Sequence, residues 1–178
     1  PFAAKLDDPY TKATFVGQQT VQWLRENAGQ PFACYVNMLE PHMPFTGPFD
    51  EMYDPDAIPT GPQFLQKPGE NMSLVNRMLA EYFMQAEWEG QDLSTEAGCR
   101  KMRAQYPGLV TLVDRSVGAI LDALEESGQA DHTIVVFTSE HGDMLGDHYL
   151  LHKNTMYEES VRVPLILHVP WLNNEQTL

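Results

Sequence analysis

Residues 133–170, which read TIVVFTSEHGDMLGDHYLLHKNTMYEESVRVPLILHVP, decide the fold class of this chain. The first five residues of the stretch are β-branched or aromatic and uncharged, a pattern that predicts a strand buried on both faces of a parallel sheet. The polar residues that follow this strand are Ser139, Glu140, His141 and Asp143, with Gly142 permitting a tight turn. Ligands of open α/β sheets bind beyond the carboxyl ends of strands, so the sequence predicts a functional site at this edge.

The rest of the chain alternates predicted helices with predicted strands. Periodicity predicts helices over residues 10–27, 72–88 and 109–124, and apolar runs predict further strands over 32–38 and 163–169. Residues 39–69 are rich in proline and aromatic side chains, which predicts a long ordered loop. Pro107 is predicted either to begin the third helix or to kink a longer one. This order predicts an α/β fold with a mostly parallel sheet flanked by helices.

Composition and charge restrict the classes of function. The chain has 178 residues, 43% of them hydrophobic, so it can bury the core of a single globular unit. Its formal net charge is −14, from 25 acidic and 11 basic residues, without a basic stripe. We therefore expect no nucleic-acid partner and no membrane partner, and no apolar run is long enough to span a bilayer. Binding an anionic ester would require a local positive centre, which a metal held by carboxylates can provide.

Motifs on both sides of the predicted third helix carry a family resemblance. The downstream motifs are Ser139-Glu140-His141-Gly142-Asp143, then Lys153, Tyr157-Glu158 and Arg162-Val163-Pro164; the upstream motif is Asn37-Met38-Leu39-Glu40-Pro41-His42-Met43-Pro44-Phe45. Together they resemble the C-terminal half of the catalytic domain of the sulfatase family, in the alkaline phosphatase superfamily. The resemblance implies that residues 1–178 are a partial catalytic domain with an alkaline-phosphatase-like fold. We expect it to be incomplete at both ends, with the nucleophile-bearing part upstream.

The resemblance implies a metal site that includes Glu140 and His141. The family normally has Asp where this chain has Glu140, so the carboxylate reaches one methylene further. One divalent metal ion is implied, either Ca or one of Mn, Zn and Mg, and imidazole suits Mn or Zn better than Ca. The remaining acidic ligands are expected upstream of this chain. Asp143 and Asp147 are either supporting acids of this site or turn residues that bond the local backbone.

The same resemblance implies substrate contacts from the two loops. Lys153 matches the family lysine that contacts sulfate oxygens. His42, fixed between two prolines, matches a histidine that faces the ester and can assist the leaving group. His148 and His152 flank the same loop as Lys153 and are further candidates for substrate binding. Tyr157, Glu158 and Arg162 are interpreted as framework residues.

No catalytic nucleophile is predicted within this chain. Sulfatases convert a Cys or Ser in a Cys/Ser-x-Pro/Ala-x-Arg motif into formylglycine, and Cys99 is followed by Lys101 where Pro or Ala belongs. We therefore interpret Cys99 and Cys34 as ordinary thiols, buried and free, and expect formylglycine upstream. The isolated segment is then expected to be inactive.

The resemblance leads to a primary function and two alternatives. The primary interpretation is part of a metal-dependent sulfatase that hydrolyses small-molecule or carbohydrate sulfate monoesters. The alternatives are a phosphonate or phosphate ester hydrolase of the same superfamily, and a non-catalytic module that binds a metal or an anion. Family members are often secreted, periplasmic or lysosomal, and the oligomeric state stays open.

Overall fold

The computed structural model describes residues 6–84, 87 and 92–172. The elements in chain order are α1 (Lys12–Glu26), α2 (Leu74–Phe83), α3 (Glu96–Glu126), β1 (Val135–Thr138), α4 (Glu158–Val161) and β2 (Leu165–His168), with short 3-10 helices at Asp8–Tyr10 and Ala130–His132. The predicted helices over 10–27 and 72–88 correspond to α1 and α2, although the last residues of the second prediction lie partly outside the described residues. None of the described helices is long and apolar enough to cross a lipid bilayer.

Helix α1 packs along α3. Its N-terminus is capped by Thr11, whose hydroxyl oxygen accepts a hydrogen bond from the Thr14 amide. Gly17 allows the close approach of the two helices, because a Cβ at this position would lie 3.0 Å from the Ser116 Cβ. Leu24 is buried against Leu124 near the other end of the pair.

Helix α3 is longer than the periodicity predicts, at 31 residues. It begins after Thr95, whose hydroxyl accepts a hydrogen bond from the Gly98 amide at 3.1 Å. Pro107 lies inside the helix, which confirms the second alternative for this residue, a longer helix. At Gly108 the loop of residues 39–69 crosses the helix, since a Cβ there would lie 2.6 Å from the Phe49 carbonyl oxygen.

The sheet in the described part of the chain consists of β1 and β2, which pair antiparallel with Val135 opposite His168. The α/β class is confirmed, but this pair is antiparallel where a mostly parallel sheet was predicted. A parallel pair needs a crossover, usually helical, and the connection from β1 to β2 contains only the four-residue α4. Residues 32–38 are not assigned as a strand.

The burial predicted for the first strand is also wrong for this structure. Val136 is 57% exposed, and Leu165 on β2 is 71% exposed. A strand is buried only where helices or further strands cover its faces, and no described element besides β2 makes extensive contact with β1. The apolar faces of β1 and β2 are therefore uncovered in the described part of the chain.

The largest core lies between α3, the long loop and the segment after β1. Its members include Phe45, Met102, Leu112, Cys99 and Leu151, each no more than 3% exposed. The burial of Phe45 confirms that residues 39–69 form an ordered loop. A second cluster packs Ala80 of α2 against Met144 and Leu150. Residues 143–153, which we call the site loop, are thus held between α2 and α3.

Candidate active site

His42 and Lys153 meet although 111 residues separate them. The Lys153 Nζ lies 2.7 Å from the His42 Nε2, and the His42 Nδ1 lies 2.8 Å from the Met43 carbonyl oxygen. A carbonyl oxygen can only accept, so Nδ1 carries the proton and Nε2 accepts from the Lys153 ammonium. The structure therefore brings together the two residues predicted to contact the substrate anion.

The site loop is closed on itself at its base. The Met144 amide donates to the His152 carbonyl oxygen at 2.8 Å. The Asp143 Oδ1 accepts from the Leu145 amide at 3.0 Å and from the His152 amide at 3.2 Å. Four non-glycine residues of the loop adopt positive φ, and these are Leu145, His148, Tyr149 and His152. Lys153 directly follows this closed segment, so its starting point is fixed.

The Asp143 carboxylate accepts hydrogen bonds from the backbone of the site loop. Burial raises the pKa of its carboxyl, while the hydrogen bonds from Leu145 and His152 and the nearby Lys153 oppose that shift. The bond to the Leu145 amide confirms that Asp143 bonds the local backbone, and the bond to His152 extends this role across the loop. Whether it also supports a metal ligand stays a prediction.

His152 lies beside His42 and Phe83. Its ring centroid is 6.3 Å from that of His42 and 4.6 Å from that of Phe83 on α2. Burial, and then the positive charge of Lys153, lower the pKa of His152 to about 4. The imidazole is therefore neutral near pH 7 and presents no charge to a bound anion.

His148 is held in a stacked arrangement. Its ring lies parallel to the Tyr157 ring with centroids 3.9 Å apart, and its amide donates to the Gln63 carbonyl oxygen at 2.8 Å. Its Nε2 lies 3.9 Å from a Glu159 carboxylate oxygen. These contacts support the framework role of Tyr157. Substrate binding by His148 and His152 stays a prediction.

Glu140 and His141 present two donor atoms to the same region. The His141 Nε2 is 3.6 Å from the Glu140 Oε1. The His141 Nδ1 lies 2.7 Å from the Gly142 carbonyl oxygen and must donate to it, so the lone pair is on Nε2, as a metal ligand requires. In residues 6–84, 87 and 92–172, no group of three or more His, Cys, Asp or Glu could hold a metal ion. A metal site that includes this pair stays a prediction.

Asp147 pairs with Arg103, a residue that the sequence did not single out. The Arg103 Nη1 lies 3.2 Å from the Asp147 Oδ2 and donates to the Leu145 carbonyl oxygen at 3.1 Å. The guanidinium also lies over the Phe64 ring. Asp147 is thus an ion-pair partner that ties the site loop to α3. No local pattern signals this contact, because 44 residues separate the partners.

The two cysteines differ in environment. Cys99 is buried inside α3, where burial and then the nearby Asp92 and Glu96 raise the pKa of its thiol to about 11. A thiol with this pKa stays protonated near pH 7. Cys34 is exposed on the surface, so the burial predicted for it is wrong. The environment of Cys99 agrees with its interpretation as an ordinary thiol.

Comparison with known proteins identifies the family. The Sulfatase family profile matches residues 4–177, and the chain belongs to this family. It is 32% identical to the multifunctional alkaline phosphatase superfamily protein PehA of Trinickia caryophylli, over 92% of this chain and 34% of that protein. It is 29% identical to arylsulfatase K of Danio rerio, over 96% of this chain and 35% of that protein. The chain therefore spans about a third of the length of these relatives.

A solved structure supports the alkaline-phosphatase-like fold. The phosphonate monoester hydrolase SpPMH from Silicibacter pomeroyi superposes with a TM-score of 0.79 at 28% identity, over 93% of this chain and 34% of that one. This match over most of the chain confirms the fold class predicted from the sequence.

Proposed function

We propose that this chain contributes the anion contacts and two metal ligands of an enzyme that hydrolyses sulfate monoesters. The observation that carries the proposal is the hydrogen bond of 2.7 Å between the Lys153 ammonium and the His42 Nε2. This bond brings the positive charge of Lys153 next to the lone pair of the His42 Nε2. Arylsulfatase K, a relative named for sulfate ester chemistry, supports sulfate as the ester anion.

Lys153 supplies the local positive centre that an acidic chain needs. The formal net charge of −14 repels an anionic ester, whereas the Lys153 ammonium can donate to its non-bridging oxygens. The ester oxygens then replace the His42 Nε2 as acceptors. His42 is left free to take up a proton and deliver it to the oxygen of the departing alcohol.

Glu140 and His141 are the residues of this chain that would hold a divalent metal. The tautomer of His141 fits this role. The Glu140 carboxylate is close enough to His141 for both side chains to coordinate the same ion. When bound, such a metal stabilises negative charge on the sulfuryl oxygens and on the nucleophile. The metal is proposed to be Ca, or Mn, Zn or Mg. Formylglycine and the remaining ligands are proposed to come from outside this chain.

A phosphonate monoester is the second candidate substrate. The TM-score of 0.79 to a phosphonate monoester hydrolase favours it, because both anions present tetrahedral oxygens to the same lysine and histidine. The two functions are distinguished by measuring kcat/KM for a sulfate ester and for a phosphonate ester of the same alcohol. The ester with the higher kcat/KM identifies the substrate class. The 178-residue chain alone is proposed to be inactive with both.

The test is Lys153→Met in the complete gene product. We expect kcat/KM for 4-nitrophenyl sulfate to fall about 100-fold, because one preorganised donor to the developing charge is lost. The matched control is Lys101→Met, which removes an exposed lysine on α3 and should leave kcat/KM unchanged. Equal activity of the two variants would refute the assignment of Lys153.

A further inference from the structure

Ser160 links the two halves of the candidate site. This residue lies on α4 and is 4% exposed. Its hydroxyl donates to the Lys153 carbonyl oxygen at 2.9 Å, and its own carbonyl oxygen accepts from the Gly142 amide at 2.8 Å. One buried residue therefore bonds both the backbone that carries Lys153 and the turn that follows the Glu140–His141 pair.

The second of these contacts is tight. A Cβ at Gly142 would overlap the Glu159 carbonyl oxygen, so the turn rests directly on the backbone of α4. Glycine at this position permits that approach, whereas any side chain would push the turn away. The contact with α4 thus fixes the position of the His141 backbone.

Lys153 has a long flexible side chain, so its backbone must be fixed if the ammonium is to stay 2.7 Å from the His42 Nε2. On one side, the His152 amide is held by Asp143. On the other, the Lys153 carbonyl oxygen accepts from the Ser160 hydroxyl and from the Thr155 amide. The Ser160 bond is the one that comes from outside the local turn.

We propose that Ser160 is a positioning residue that sets Lys153 against His42 and fixes this pair relative to Glu140 and His141. Ser160 acts through the Lys153 backbone, because its hydroxyl is buried and already donates to a carbonyl. This inference rests on the proposed function, in which Lys153 contacts the ester anion.

The test is Ser160→Ala in the complete gene product, with 4-nitrophenyl sulfate as the substrate. We expect kcat/KM to fall about tenfold, the lower part of the range seen when supporting hydrogen bonds of a site are removed. The matched control is Ser116→Ala. Ser116 is also buried, at 6% exposure, and its hydroxyl also donates to a backbone carbonyl, that of Leu112 in α3. This control should retain full activity.

A double-mutant cycle with Lys153→Met separates positioning from a general structural effect. If Ser160 acts through Lys153, Ser160→Ala should have no further effect once the ammonium is gone. An additive tenfold loss in the Lys153→Met background would overturn the positioning role, and so would a single variant as active as Ser116→Ala. If Lys153→Met itself has no effect, the proposed function fails first, so the two failures are distinguishable.

A second variant covers the case in which Ser160→Ala does not fold. Ser160→Cys fills nearly the same volume with a weak donor, so it should preserve the melting temperature and still lower kcat/KM. A folded Ser160→Cys protein with full activity would overturn the proposal.

Discussion

The site loop and the β1–β2 pair come from the same stretch of sequence but differ in burial. In the loop, Met144 is 0% and Leu150 is 1% exposed, whereas on β2 Leu165 is 71% and Ile166 is 61% exposed. The strands are the more uniformly apolar segments. The comparison shows that burial depends on what packs against a segment, and α2 and α3 pack against the loop.

The substitution expected to have the largest effect on stability in this comparison is Leu150→Ala. We expect the free energy of unfolding to fall by about 3 kcal/mol, because the removed side chain leaves a cavity against Ala80 and Met144. Urea unfolding followed by circular dichroism measures it. In the 178-residue chain, the matched variant Leu165→Ala should change this free energy by less than about 0.5 kcal/mol, since the side chain is exposed there. Similar losses for both leucines would contradict the difference in packing.

A somewhat smaller effect is expected from Asp147→Ala. It removes one partner of an ion pair whose side chains are 9% and 16% exposed, and it leaves the Arg103 guanidinium buried without its carboxylate. We expect a loss of about 2 kcal/mol in the free energy of unfolding, less than for a fully buried pair. Glu126→Ala breaks the exposed pair with Arg25, and its loss should stay below about 0.5 kcal/mol. The comparison fails if the two losses are equal in urea unfolding.

The effect expected to be smallest at neutral pH is that of His152, because its contribution to stability appears only as the pH falls. Its pKa is about 4 in the folded protein, against an ordinary value of 6.5 for histidine, so between these values the unfolded chain binds the extra proton. Stability should therefore fall as the pH decreases from 6.5 to 4. The raised pKa of Asp143 has the opposite effect. Above the ordinary pKa of an aspartate, it makes stability fall as the pH rises. Both groups belong to the site loop.

His152→Gln isolates the histidine contribution, because it removes the titrating ring and leaves Asp143 in place. Melting temperatures measured from pH 7 to pH 4 should fall less steeply in this variant. His132→Gln is the control at an exposed histidine and should keep the slope of the parent protein. An unchanged slope in His152→Gln would mean that His152 is not the group that resists protonation.

Local sequence predicts the elements whose boundaries are set by local signals. Helix α1 was placed to within two residues of its observed bounds, since its periodicity and its termini are local signals. The start of α3 was missed because Pro107 suggested a helix start that the structure does not use. The exposure of β1 and the direction of its pairing depend on the other elements of the sheet, which no local pattern encodes.

Part of the candidate site is predicted by family resemblance and not by local pattern. The family resemblance predicts that His42 and Lys153 each contact the substrate, and the structure places their nitrogens 2.7 Å apart. The contacts of Arg103 with Asp147 and of Phe83 with His152 were not predicted, because they join residues far apart in sequence. The side chains that hold a site in place leave weaker signals than those that perform its chemistry.

The four left-handed residues of the site loop have a consequence for the order of folding. Each non-glycine residue in this conformation costs roughly 1 kcal/mol or more, so the loop opposes its own geometry until tertiary contacts form. Its backbone should adopt this shape only after α2 and α3 are in place. The amides of Met144 and Gly146, both bonded within the loop, should then exchange with deuterated solvent only when the surrounding core opens.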